Sequence, residues 1–335
     1  MTAGKRSPQT KWIKHLVGAG VTLICLLILL KQVNLVDILQ AFSRFNWIYL
    51  IPGVGILACG YALRIFRWSM MLRAAGANVD FVRCSAPFLG SIALNNILPL
   101  RLGDVVRALV FPKSMGVAKT TATSSLIVER LIDLMTLLAS FAIGIFAIQS
   151  VGISSEIKAS AVSLALAGGA VLSTGLLFSK ELSRFFANYS LGMGRDARLS
   201  KISAILSELL GSFNAMSRPK LLVSMLVVSM LVWFCEAGLF YFVLVGTGIK
   251  SSLVIAMLVM SVATLSTLVP SSPGYVGPFH IAAYTAISLV GGTAAQAGSY
   301  AVIVHLALWL STTLAGTIAI WLCPEIFRGI KSHSA

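Results

Sequence analysis

A chain of 335 residues with a formal net charge of +15 is 57% hydrophobic and only 11% charged. Its mean hydropathy is +0.91, whereas a soluble domain carries about 25% charged residues. That balance excludes an ordinary soluble fold, and the scatter of basic residues in short clusters between apolar runs argues against a nucleic-acid surface.

Residues 1–15 hold Lys5, Arg6, Lys11 and Lys14 and precede the apolar run Leu16 to Leu30. No small-residue cleavage site follows, so an uncleaved first span with a cytoplasmic N-terminus is expected. The stretch "LVDILQAFSRF", Leu35 to Phe45, repeats apolar residues at helical spacing and is expected to be amphipathic. Further apolar segments occupy 47–63, 84–110, 121–149, 159–179, 220–245, 252–290 and 299–323. They are long enough for transmembrane helices and lack the period-2 alternation of a membrane β-barrel. The fold expected is an all-α polytopic membrane protein.

If every segment crossed once, the loop 180–220 with seven Lys/Arg would lie outside the cell. If instead 84–110 and 252–290 each enter and leave on one side, 19 of the 26 basic residues become cytoplasmic. The second arrangement obeys the positive-inside rule. It gives about six full spans, with both termini in the cytoplasm, plus two opposed re-entrant hairpins in an inverted-repeat-like pattern. Tails are expected at 1–15 and 324–335, and 180–219, containing "LSKISAILSELLGSF", is expected to be a cytoplasmic amphipathic segment.

Each hairpin carries helix-breaking residues: "ILPLRLGDVVRAL" has Pro99 and Gly103, and "LVPSSPGYVGPFH" has Pro270, Pro273, Gly274 and Gly277. Pro99/Gly103 and Pro270/Gly274 share one spacing, 171 residues apart. Proline ends the incoming helix and glycine takes the turn's backbone angles, so the two tips are expected to meet near the bilayer midplane. The alternative is two kinked but ordinary spans.

A charge inside a membrane helix is expensive and faces a partner or a cavity. Arg101, Asp104 and Arg107 surround the first hairpin, and Glu129, Arg130 and Asp133 lie on the next span. Three bases and three acids suggest a mutually paired network. It either glues hairpin to span or lines a polar cavity for a charged headgroup. Glu236, amid aromatics in "VWFCEAGLFYF", is expected to pair with a base of that network or to stay neutral. His280 and His305 read as helix-bonding groups or as ligands. Arg64 and Arg67, beside Trp68, are expected to snorkel to the headgroup layer, or else to form a phosphate gate.

The five cysteines have no metal or redox spacing. "GTGIKSS" (Gly246 to Ser252) lacks the spacing of a nucleotide-binding P-loop. No metal or other cofactor is assigned.

The elements "LRIFRW", "NNILPLRLGDVVRA", "SSLIVERLIDL" and "VPSSPGYVG" together resemble the flippase-like family built on the transmembrane domain of lysylphosphatidylglycerol synthases. The resemblance implies a prokaryotic cytoplasmic-membrane protein that moves a polar-headgroup lipid between leaflets. The cargo would be a glycolipid, polyprenol-linked sugar, hopanoid or phospholipid derivative. Lipid-modifying enzymes of the same pathway are the partners it implies, and no soluble synthase domain is expected. The family commonly has a glutamate where this chain has His280, which points away from a cationic aminoacyl headgroup. The site expected comprises Arg101, Asp104, Arg107, Glu129, Arg130, Asp133, Glu236 and His280. An integral-membrane enzyme modifying lipid headgroups and a non-catalytic scaffold are the rival readings.

Overall fold

The computed structural model describes residues 20–147, 178–192, 197–249 and 251–331, apart from 26, 30 and 32–34, with scattered positions between 156 and 174. The N-terminal tail and most of segment 159–179 lie outside the described residues.

The described residues form helices and turns, without a strand. In chain order the helices are α1 (Gly20–Leu29), α2 (Leu35–Ser43), α3 (Leu50–Ala74), α4 (Phe81–Ile97), α5 (Leu102–Leu109), α6 (Phe111–Met115) and α7 (Lys119–Ala147). There follow α8 (Ser179–Gly192), α9 (Ala197–Met216), α10 (Pro219–Gly246), α11 (Leu253–Ser266), α12 (Pro278–Leu289), α13 (Ala294–Leu322) and α14 (Pro324–Lys331). Local chemistry sets several starts. Asp80 accepts the Arg83 amide before α4 and Ser252 accepts that of Ile255 before α11. Thr293 and Gln296 cap α13 reciprocally.

Among the described residues, Trp47–Ala74, Pro219–Gly246 and Ala294–Leu322 are long and apolar enough to cross a membrane. The helix α7 has the length, at 29 residues, but carries Lys119, Glu129, Arg130 and Asp133. The long helices pack through two cores. One is centred on α10, α11, α12 and α13, and the other gathers Trp68, Phe88, Phe111 and Ile132.

Segments 84–110 and 252–290 are both helix–break–helix units whose two arms pack together, α4 on α5 and α11 on α12. The packing around them is reciprocal. The first arm of each hairpin lies on the long helix that follows the other, α4 on α13 and α11 on α7, while α3 packs on α10. The two tips touch.

One expectation changes and two segments gain detail. First, α3 does not stop near residue 63 but runs on to Ala74, so Arg64 and Arg67 lie inside it, buried rather than snorkelling. Carboxylates on α7 and α10 neutralise them, which removes the reason for the chain to leave the core. Second, 180–219 is two helices, α8 and α9, packed on each other, with α9 also on α7. There the Ser124 hydroxyl donates to the Leu209 carbonyl and that of Thr120 to Glu208. Third, the segment after α13 begins with a helix. Residues Pro324–Lys331 form α14, whose Phe327 ring meets Phe111 edge-on at 4.9 Å.

Candidate functional site

The hairpin tips are built alike. Each opens with a proline followed by two residues in the left-handed region: Pro99, then Leu100 (φ 58°) and Arg101 (φ 53°); Pro273, then Gly274 (φ 77°) and Tyr275 (φ 59°). Leu100, Arg101 and Tyr275 are the non-glycine residues with positive φ among those described. Such backbone costs roughly 1–2 kcal/mol per residue and persists only where the surrounding structure over-determines it.

This corrects the role given to Gly103. It lies within α5 with ordinary helical angles, and a Cβ there would collide with the Ser91 carbonyl of α4. It is glycine because the two arms approach so closely. The matching residues of the two tips are Pro99 with Pro273 and Gly103 with Gly277, 174 apart, rather than Pro99 with Pro270.

Arg101 joins the tips. Its guanidinium donates to the Thr267 hydroxyl at 2.8 Å and lies 5.5 Å from the centre of the Tyr275 ring. The indole of Trp309 donates to the Asn96 carbonyl, and the Asn96 amide to the hydroxyls of Thr312 and Thr313 at 2.9 Å. Within the first hairpin, Asn95 accepts the Asp104 backbone amide at 3.0 Å and donates to the Asp104 carboxylate at 2.9 Å, locking α5 to α4.

Behind the tips stands a layered ion-pair network. Arg130 grips Asp104 through both carboxylate oxygens, at 2.8 and 2.7 Å. Arg107 pairs with Glu129 at 2.7 Å, its guanidinium 4.6 Å from the Phe88 ring centre. Arg67 pairs with Asp133 at 2.7 Å and donates to the Ser229 hydroxyl, and Trp233 donates to the same carboxylate. Arg64 pairs with Glu236 at 2.5 Å and lies 4.4 Å from the Trp233 ring centre. Glu236 is therefore a paired carboxylate. Among the described residues the cluster holds five arginines against four carboxylates, and Arg101 is the member with no carboxylate within ion-pair distance.

Two cavities open at the tips. One, about 140 Å³, is lined by Arg64, Arg101, Arg130 and Glu236, together with Tyr275 and His305. The other, about 180 Å³, lies between the tips themselves, residues 98–101 and 267–275. Asp104, Arg107, Glu129 and Asp133 stand behind the first cavity and hold its wall. His280 does not line it: its ring accepts the Gly277 amide at the start of α12 and packs 4.5 Å from the ring of His305. His305 is the histidine at the wall, bonded to the Gly274 carbonyl at 2.8 Å. Tyr275, Thr267, Asn95 and Asn96 went unassigned in the sequence, although "NNILPLRLG" and "PSSPGYVG" contain three of them. The signal that finds Tyr275 is the 174-residue register, which sets it opposite Arg101. Among the described residues no group of three His, Cys, Asp or Glu side chains could hold a metal ion.

The family described as Lysylphosphatidylglycerol synthase TM region matches residues 15–316. The chain belongs to that family. Among similar proteins, the UPF0104 membrane protein PH1989 of Pyrococcus horikoshii is 23% identical over 323 residues, covering 91% of this chain and 96% of the relative. A UPF0104 membrane protein of Methanothermobacter thermautotrophicus is 24% identical over 277 residues, 78% of this chain and 81% of the relative. The Glycosyltransferase AglD of Haloferax volcanii is 20% identical over 342 residues, 92% of this chain but 54% of that protein. In this member of the Lysylphosphatidylglycerol synthase TM region family, the matched region takes in both hairpins and the whole ion-pair network.

Proposed function

We propose that the protein is a lipid translocase whose cavity takes an anionic, phosphate-bearing headgroup while the hydrocarbon chains stay in the bilayer. The observation that carries this is Arg101: a guanidinium on a strained backbone, wedged between two hairpin tips, with no carboxylate in direct ion-pair contact among the described residues. Arg130 stands beside it with its side chain 36% exposed. A planar, multidonor cation suits phosphate oxygens. The tips enter from opposite sides of the membrane, so the cavity they share lies between the leaflets.

In this mechanism Arg101 exchanges its Thr267 bond for the headgroup phosphate, which loosens one tip from the other. Arg130, held by Asp104, adds a second contact, and the deeper pairs keep the wall rigid while charge enters and leaves. The glycosyltransferase among the relatives favours a sugar-bearing phospholipid as the cargo class. The enzyme reading is weaker, because Glu129 and Asp133 are tied to arginines and neither is a free base. A passive scaffold would not need an unpaired cation at a cavity.

Native mass spectrometry of the purified protein tests the reading. The wild type should retain a distinct phospho-headgroup lipid that Arg101→Gln releases. Equal bulk lipid on both proteins would overturn it.

A further inference from the structure

An apolar groove of about 600 Å³ runs between α3, α4 and α13, and it shares two wall residues, Tyr61 and Thr312, with the polar cavity. We infer that this groove is a binding site for one hydrocarbon chain of the lipid whose headgroup enters that cavity, an inference that rests on the translocase reading above. Four observations converge on such an occupant. The groove adjoins the charged site across Tyr61 and Thr312, so one amphiphile lying over those two residues reaches both. Its α3 wall extends from Val54 to Ile65, about 16 Å of helix axis, close to the depth of one leaflet's hydrocarbon, about 15 Å. Its concavity comes from Ala58, Ala62 and Ala315, where larger residues would fill the space. Two of its three helices are ones able to cross a membrane, so the groove opens on lipid. An apolar recess there takes hydrocarbon rather than water. Tyr61 and Thr312 then mark the boundary between head and tail, with the tyrosine ring 5.5 Å from the Arg64 guanidinium.

The test uses purified protein in phosphatidylcholine vesicles with a trace of phosphatidic acid bearing a diazirine at the end of one acyl chain. Soluble glycerol phosphate is titrated in parallel by calorimetry. Photo-adducts in the wild type should concentrate on the segments around Ala58–Ala62 of α3 and around Ala315 of α13. Filling the groove with Ala62→Trp or Ala315→Phe should reduce them about tenfold while leaving glycerol phosphate binding unchanged, and Ala58→Leu provides a milder filling should the larger residues impair folding. Adducts spread evenly over the lipid-facing helices, and indifferent to the three substitutions, would overturn the groove and leave the headgroup reading standing. If glycerol phosphate bound neither wild type nor Arg101→Gln, the headgroup reading would fall, and the groove's assignment to that cargo with it.

Discussion

Arg101 and Tyr275, 174 residues apart, occupy the same left-handed position in two hairpin tips and stack on one another, 5.5 Å from guanidinium carbon to ring centre. The pair ties together two elements that otherwise belong to different halves of the chain. Replacing Tyr275 with Leu should remove the cation–π contact, worth about 0.5–2 kcal/mol, and free Arg101 to move. Tip-to-tip distance, measured by spin labels at 98 and 271, should broaden in Tyr275→Leu. An unchanged distribution would mean that Thr267 alone holds the tips.

The buried pairs invite a different experiment. Arg67 is fully buried and meets Asp133, so Asp133→Asn leaves a charge without compensation and should destabilise the protein by about 3–5 kcal/mol. The double variant Arg67→Met/Asp133→Leu should lose far less than the sum of the single losses. Thermal unfolding in detergent of all four proteins reads the coupling, and additive losses would deny that the two residues form one unit.

The two halves of the first tip should respond in opposite directions to small substitutions. Leu100 is exposed and left-handed, so Leu100→Gly relieves strain of about 1–2 kcal/mol against a glycine entropy cost of about 0.5–1 kcal/mol. A slightly raised unfolding midpoint is expected. Gly103→Ala places a methyl group against the Ser91 carbonyl and should lower the midpoint by several degrees or block folding. The same midpoint for both variants would contradict the tip geometry.

Membrane sidedness checks the opposed hairpins. In a background without native cysteines, Lys113→Cys, after the first hairpin, and Ala294→Cys, after the second, are both exposed positions. They should react with an impermeant maleimide from opposite sides of the membrane. Reaction of both from one side would sink the opposed arrangement and the shared cavity with it.

Much of this was legible in residues that a membrane helix does not carry without reason. The Pro99/Gly103 and Pro270/Gly274 pairs announce the two breaks, and Arg101, Asp104, Arg107, Glu129, Arg130 and Asp133 announce a network. What sequence could not supply was partnership across the chain. Arg64 and Arg67 look like interfacial anchors because Glu236 is 172 residues from Arg64, and only the packing of α3 on α10 brings them together. The register of the repeat was hidden for a similar reason. Pro270 and Pro273 both satisfy a proline–glycine spacing, and backbone angles alone show that Pro273 is the counterpart of Pro99. His280 reads in the sequence as a helix-bonding group or a ligand, and its bond to the Gly277 amide makes it a cap for α12.

The most direct measurement of the central claim is leaflet exchange. Vesicles carrying the protein and a fluorescent phosphate-headed lipid are quenched from outside, and the protected fraction is followed with time. Wild-type protein should make the inner-leaflet pool accessible, and Arg101→Gln, with the same fold and the same reconstitution yield, should slow that exchange about tenfold or more. Exchange by Arg101→Gln at the wild-type rate, or none by the wild type, would contradict the assignment of this cavity to lipid headgroups.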